Sequence, residues 1–273
     1  MSVQIIHADC LDALTDGQVK PRSVNLVVTS PPYADQRAGN YGGIHPDDYV
    51  AWFLPRAQAI QDCLTEDGSF VLNIKEKADD GEKHIYVLEL IVAMRRELGW
   101  RLVDEYCWHK KNCYPGKWPN RFRDAWERLL HFTINPKFKM RQEAVMVPMG
   151  EWKEQRLRNL SDTDRTRDES KHENGFGKKI ENWVGRDLAY PTNVLHFATE
   201  CGDKEHPAAF PKAIPDWFIR LFTDEGDTVL DPFAGSGTTL VAALDLRRNA
   251  IGIDTEKEYC NLMKKEVGLY EFA

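Results

Sequence analysis

Two consecutive prolines, Pro31 and Pro32, constrain this 273-residue chain more tightly than any other feature. They follow Val24-Asn25-Leu26-Val27-Val28, an apolar run that reads as a short buried β-strand. Neither proline can donate to a strand ladder, and each keeps its predecessor out of a helix. The strand therefore has to stop near Thr29, and Thr29-Ser30-Pro31-Pro32-Tyr33 has to form a stiff, extended turn. The carbonyls of Ser30, Pro31 and Pro32 remain as acceptors beside the flat face of Tyr33. Such a row of acceptors suits a planar ring bearing an amino group, as in a nucleobase with an exocyclic amine. A proline-terminated strand with a core tyrosine explains the pentapeptide equally well, so the assignment needs a second feature.

That feature lies near the other end of the chain. Asp227-Thr228-Val229-Leu230-Asp231 reads as a strand, Pro232-Phe233-Ala234-Gly235-Ser236-Gly237-Thr238-Thr239 as a glycine-rich turn, and Leu240 to Leu246 as the helix it opens. Glycines at 235 and 237 let the backbone approach a ligand closely. A further strand, Asn249 to Ile253, ends at Asp254, where nucleotide-type folds place a carboxylate on the ribose hydroxyls. No Gly-Lys-Ser/Thr follows the turn, which excludes a triphosphate loop, and Asp231 would repel a pyrophosphate but attract an ammonium. A ligand with adenine, ribose and an amino-acid tail is S-adenosylmethionine. An ordinary glycine turn between strand and helix is the alternative.

The rest of the chain reads as alternating strands and helices. Val3 to Ala8 is a first strand ending at Asp9, which either faces a ligand or caps the helical turn Cys10 to Leu14. A polar loop with Gly39, Gly42 and Gly43 runs from Ala34 to Pro46. Asp47 to Leu64 has helical spacing stopped at Asp67-Gly68, Ser69 to Ile74 is a strand, and Ile85 to Leu98 is an amphipathic helix stopped at Gly99. Asn73 and Lys75, at that strand's exit, are candidates to touch cofactor or base. Trp100 to Trp108 and Leu129 to Ile134 alternate as an antiparallel pair at a sheet edge. Pro207 to Phe222 and Glu256 to Glu266 read as helices.

Charge is unevenly spread. The net charge is −7, yet Cys107 to Tyr190 holds 18 Lys+Arg against 12 Asp+Glu, while the remainder holds 18 against 31. Lys110, Lys111, Lys117, Arg121 and Arg123 alternate with Tyr114, Trp118 and Phe122, and Trp152, Phe176 and Trp183 sit in a long polar stretch beyond. Basic residues among aromatics suit phosphate contact with base stacking, and a solvated charged insertion is the plainer reading. No run of 18 apolar residues predicts a membrane span. The start lacks the pattern of a signal peptide. The six cysteines are scattered, and Cys107, Cys113 and His109 fit no common zinc spacing, so a reduced cytoplasmic protein without a metal is expected.

Taken together, the proline motif at 29–33 and the glycine motif at 231–239 resemble those of the amino-group DNA methyltransferases of bacterial restriction–modification systems. The catalytic motif comes first and the cofactor motif last, as in the β group. Asp9, His206-Pro207-Ala208-Ala209-Phe210-Pro211 and Ile251-Gly252-Ile253-Asp254 are similar too, so the likeness covers roughly residues 3–135 and 195–265 and omits the basic middle. The resemblance implies a Rossmann-like α/β fold with a mostly parallel, circularly permuted, seven-stranded sheet. It divides the chain into a catalytic half at 1–135, a target-recognition insertion at 136–194 and a cofactor-binding half at 195–273. The two motifs would then meet where strand order reverses.

Direct methyl transfer from S-adenosylmethionine to an exocyclic nitrogen of double-stranded DNA is the implied reaction. Ser30, Pro31, Pro32 and Tyr33 would hold a flipped base. Asp9, Thr29, Asp231, Phe233, Gly235, Ser236, Gly237, Thr238 and Asp254 would hold the cofactor, and Lys110, Lys111, Lys117, Arg121 and Arg123 would contact phosphates. No cysteine lies near the proline motif, which argues against attack on a ring carbon. Ser-Pro-Pro-Tyr in this family goes mostly with cytosine N4, and N6-adenine is the alternative. RNA or protein methyltransferases, which usually carry the motifs in the opposite order, and a non-catalytic DNA-binding relative are the rival classes. A separately acting restriction endonuclease is the implied partner, in a bacterial or archaeal cytoplasm, with the enzyme a monomer or dimer.

Overall fold

The structure is a computed structural model that describes residues 1–35, 43–112, 116, 119–150, 185–199, 211–268 and 270. It forms two units, one of Met1–Arg141 with Asn193–Ala273 and one of Gln142–Thr192. In the first unit, in chain order, the strands are β1 (Val3–His7), β2 (Val24–Thr29), β3 (Leu64–Ile74), β4 (Arg101–Lys110), β5 (Trp126–Thr133), β6 (Val194–Phe197), β7 (Thr228–Asp231) and β8 (Asn249–Asp254). The helices are α1 (Cys10–Thr15), α2 (Tyr49–Cys63), α3 (Tyr86–Glu97), α4 (Ala213–Phe222), α5 (Thr238–Asp245) and α6 (Lys257–Val267).

The strands form one sheet in the order β1-β8-β7-β2-β3-β5-β4-β6. The ladders β1–β8, β8–β7, β7–β2, β2–β3 and β4–β6 are parallel, and only β5 runs against its neighbours. The expected mostly parallel permuted sheet is therefore present, with eight strands among the described residues instead of seven. From β2 the chain builds outward to β3, and from β7 outward to β8. The reversal point falls between β2 and β7, where Leu26 and Val27 pair with Val229 and Leu230.

Burial follows from this placement. Every β2 residue except Asn25 is buried, as a central parallel strand requires. The sides of the sheet are legible in β5, whose successive residues point opposite ways. Phe132 packs with Phe70 and Trp100, while His131 lies 4.3 Å from the Phe222 ring of α4. Tyr49, Phe53, Tyr86 and Leu90 bring α2 and α3 into the former core. Each such side chain contributes about 2 kcal/mol by leaving water.

Two expected boundaries move. Helix α2 ends at Cys63 and β3 already starts at Leu64. The Arg22 and Ser23 amides donate to the carbonyls of Asp62 and Cys63 at 3.1 and 2.9 Å, which draws the chain out of helix before Gly68. The β4–β5 pair is not the sheet edge, because β6 adds in parallel outside β4 and the Trp108 indole donates to the Phe197 carbonyl at 3.1 Å.

The unit Gln142–Thr192 lies inside the stretch expected as an insertion. Its described part is a short turn at Gln142–Val145 and a ladder of Val147–Pro148 with Leu188–Ala189. The expected loop glycines 39 and 42, the aromatics Tyr114, Trp118, Trp152, Phe176 and Trp183, and the approach 206–210 lie outside the described residues.

Candidate active site

The carboxyl ends of the parallel strands assemble the site. Thr29 at the tip of β2 donates its hydroxyl to Asp231 at the tip of β7, Oγ1 to Oδ1 at 2.6 Å. The proline motif and the glycine motif, 202 positions apart, are thus joined by one buried hydrogen bond. Asp231 is only 1% exposed, and it also accepts from the Thr239 hydroxyl at 2.7 Å and the Phe233 amide at 3.1 Å. Burial raises its pKa from 3.8 to about 6, against the pull of those donors. The side chain expected to face a ligand ammonium is instead engaged internally, holding the proline tip and the first turn of α5 together.

The glycine turn is held from the next strand. Asp254 at the tip of β8 accepts from the Gly235 amide and the Glu256 amide, both at 2.8 Å, and burial raises its pKa. Gly235 has φ +51 and Gly237 φ +93, a region that costs L-residues strain. A Cβ on Gly237 would sit 2.8 Å from Cγ of Met263, whereas one on Gly235 would meet nothing within 4 Å. Gly237 is thus required for packing and Gly235 borders open space. Ser236 and Thr238 between and after them are half-buried, and Phe233 packs its ring 5.9 Å from Trp52. Asp9 caps α1 through the Leu11 amide at 2.7 Å and pairs with Arg56 at 2.8 Å, so the capping reading of this residue is present in the structure.

Around the proline tip the acceptors are unequal. The Pro32 carbonyl accepts from the Tyr49 hydroxyl at 2.9 Å and is no longer part of the expected row. Among the described residues no hydrogen bond reaches the carbonyls of Ser30 and Pro31. The Ser30 hydroxyl lies 3.2 Å from the Tyr33 hydroxyl, which is 2.9 Å from Glu127 and 3.1 Å from Asn73 Oδ1. Burial, then the Glu127 charge, drives the Tyr33 pKa well above its ordinary value. Asn73, singled out from sequence, belongs to this cluster. Glu127, which sequence reasoning missed, stands at its centre.

The basic candidates divide. Lys110 pairs with Glu127 at 2.5 Å with 16% of its side chain exposed, so its charge is engaged beside the Tyr33 cluster. Arg121 and Lys75 both pair with Asp124 at 3.0 Å. Lys111 and Arg123 are exposed, and Lys117 lies outside the described residues.

Known proteins share this construction. Residues 24–265 match the model of the DNA methylase family N6_N4_Mtase. The type II methyltransferase M.PvuII of Proteus hauseri is 31% identical over 263 residues, spanning 87% of this chain and 76% of that protein. M.BglII of Bacillus subtilis is 27% identical over 264 residues, spanning 95% and 67%. Among solved structures, a PvuII DNA methyltransferase described as cytosine-N4-specific gives a TM-score of 0.73 at 24% identity, over 97% of this chain and 86% of that one. A complex of M1.HpyAVI with S-adenosylmethionine gives 0.61 at 21% identity, over 97% and 98%. The family match starts at the strand that carries the proline tip and runs into the last helix, and on that ground the chain belongs to the amino-group DNA methylase family.

Proposed function

We propose that this DNA methyltransferase acts on the exocyclic N4 of a cytosine flipped out of double-stranded DNA, as the modification half of a restriction–modification system. The observation that carries the reading is the 2.6 Å bond from Thr29 to Asp231, which joins the proline tip to the strand that opens into the glycine turn. Ser-Pro-Pro-Tyr at 30–33 and the cytosine-N4-specific description of a PvuII enzyme support cytosine over adenine.

The cofactor is S-adenosyl-L-methionine. The residues present fit it: Gly235 leaves room that any larger residue would fill, and Asp254 fixes the turn from the neighbouring strand. Gly235, Ser236, Gly237, Thr238, Phe233, Asp254, Thr29, Asp231 and Asp9 are the residues assigned to hold or frame it. When bound, it supplies an electrophilic methyl group on a sulfonium. The protein's part is to make the amine a nucleophile and aim it. The exocyclic lone pair is delocalised into the ring. Hydrogen bonds from the amine to the Ser30 side chain and the Pro31 carbonyl favour a pyramidal nitrogen, and the rest is alignment. Tyr33 offers its ring face to the extruded base, whose extrusion is needed because no duplex base is reachable in place. The unit Gln142–Thr192 is assigned target recognition.

Nucleosides from DNA treated with the enzyme and methyl-labelled cofactor test this. Labelled N4-methylcytosine is expected. Labelled N6-methyladenine alone would overturn the choice of base, and no labelled nucleoside would overturn the reaction.

A further inference from the structure

Glu127 belongs to neither motif and stands at the first turn of a strand that runs against the rest of the sheet. It is 7% exposed. One oxygen, Oε1, accepts from Lys110 Nζ at 2.5 Å. The other, Oε2, accepts from the Tyr33 hydroxyl at 2.9 Å and the Asn73 amide at 3.2 Å. A carboxylate so paired accepts only.

This fixes the direction of every bond down to the pocket. The Asn73 amide nitrogen donates to Glu127 and to the Arg128 carbonyl at 3.1 Å, both acceptors, so its oxygen is the atom facing Tyr33. Both neighbours of Tyr33 on that side are acceptors, and its single proton points away from Ser30. The Tyr33 oxygen then accepts from Ser30 at 3.2 Å. With its one proton used there, Ser30 shows only lone pairs to the pocket. It can receive an amine hydrogen and repels a carbonyl oxygen.

We propose that Glu127 is a positioning residue that sets hydrogen-bond polarity in the base pocket, so that the site takes an aminated base and rejects its deaminated counterpart. The inference rests on the functional reading above and assigns the discrimination to a residue outside both motifs. A site built to bond one group leaves buried polar atoms unpaired with the wrong one, which is a strong basis for rejection.

Glu127→Gln removes one of the two acceptors that hold the Tyr33 proton away from Ser30. Lys110 requires an acceptor, so the glutamine oxygen turns to Lys110 and its NH2 faces Tyr33. Asn73 Oδ1 at 3.1 Å is then the one acceptor left on that side, so the Tyr33 proton is shared between Asn73 and Ser30, and the Ser30 proton turns into the pocket for part of the time. With the modification site mapped by sequencing, duplexes are made with the target base and with its carbonyl analogue, uracil for cytosine or hypoxanthine for adenine. Wild type should bind the aminated duplex more tightly. In Glu127→Gln that preference should shrink about tenfold, and single-turnover methyl transfer should fall about 10- to 100-fold. Cofactor affinity should stay within about twofold. Glu127→Asp, which keeps an acceptor, should retain the preference. Should the glutamine variant fail to fold, Tyr33→Phe breaks the same chain and should lose the preference too. A folded variant with unchanged preference overturns the proposal. A wild type that methylates no DNA overturns the functional reading beneath it instead.

Discussion

Replacing Asp231 with asparagine should change how stability depends on pH, in a direction opposite to that of most carboxylates. The Asp231 pKa is about 6 in the folded chain against 3.8 for the free group. The folded state therefore holds a proton more readily than the unfolded one. The group favours folding most below pH 3.8, and that contribution is lost as pH rises through about 6. At about 1.36 kcal/mol per pH unit, the full difference is about 3 kcal/mol, of which roughly 1.4 accrues between about pH 5 and about pH 7.5. Asparagine does not titrate. Its oxygen still accepts from the Phe233 amide and the Thr29 hydroxyl, which share Oδ1 in aspartate, while Thr239 rotates to meet its NH2. Its hydrogen bonds differ from those of aspartate by an amount that stays constant with pH. Urea unfolding of both proteins at these two pH values isolates the group, because all other titrations cancel in the wild-type-minus-variant difference. The difference should move by roughly 1.4 kcal/mol in favour of the variant at the higher pH. A flat difference, or one of opposite sign, would show that the donors around Asp231 outweigh its burial and would refute the reasoning.

Four further outcomes follow from the same geometry. Gly237→Ala should cost about 2–4 kcal/mol of stability through left-handed strain and the Met263 contact, whereas Gly235→Ala should cost only about 1 kcal/mol yet weaken cofactor binding; thermal unfolding and calorimetric titration separate the two. His131 is fully buried and its pKa is depressed by burial from 6.5 to about 3, so its contribution is intact above pH 6.5 and lost as pH falls toward 3. His131→Phe should remove about 2 kcal/mol of acid sensitivity between about pH 7.5 and about pH 5, read by urea unfolding. Lys110→Met should destabilise the fold by about 3 kcal/mol, because it strands Glu127, without changing the salt slope of DNA binding. Lys111→Ala or Arg123→Ala should each lower that slope by about 0.9 where it touches a phosphate, as measured by salt titration.

Proline and glycine made both motifs legible because their constraints are local. Pro31 and Pro32 end a strand whatever surrounds them, and the left-handed turn at Gly235 and Gly237 needs no knowledge of the sheet. Leu64 and Val194–Phe197 were not legible, because each owes its strand to a neighbour: Leu64 to amides at Arg22 and Ser23, β6 to the free edge of β4. The inward turn of Lys110 had a signal in the sequence. Tyr106, Trp108 and Lys110 share one face of β4, and the first two are 4% exposed, so alternation alone turns Lys110 toward cover.

Glu127 shows what strand direction adds to such a reading. In a parallel sheet the ligand side collects the last residues of strands, and Thr29, Asn73, Asp231 and Asp254 all lie within the last two positions of theirs. A strand inserted in the opposite direction brings its first residues to that same side. Strand β5 begins at Trp126, and its pairing sets Arg128 opposite Ile74 and Glu127 opposite Trp108. Glu127 therefore arrives level with the proline tip, next to the last turn of β3, for the same geometric reason that hides it from a search for strand-end residues. The carboxylate that can orient the pocket comes from the one strand whose polarity differs, and moving it one position along β5 would carry it to the other side of the sheet. That is a stringent requirement on register, and it is met by the antiparallel ladders that join β5 to β3 over Arg128–Thr133 and to β4 from Trp126 onward.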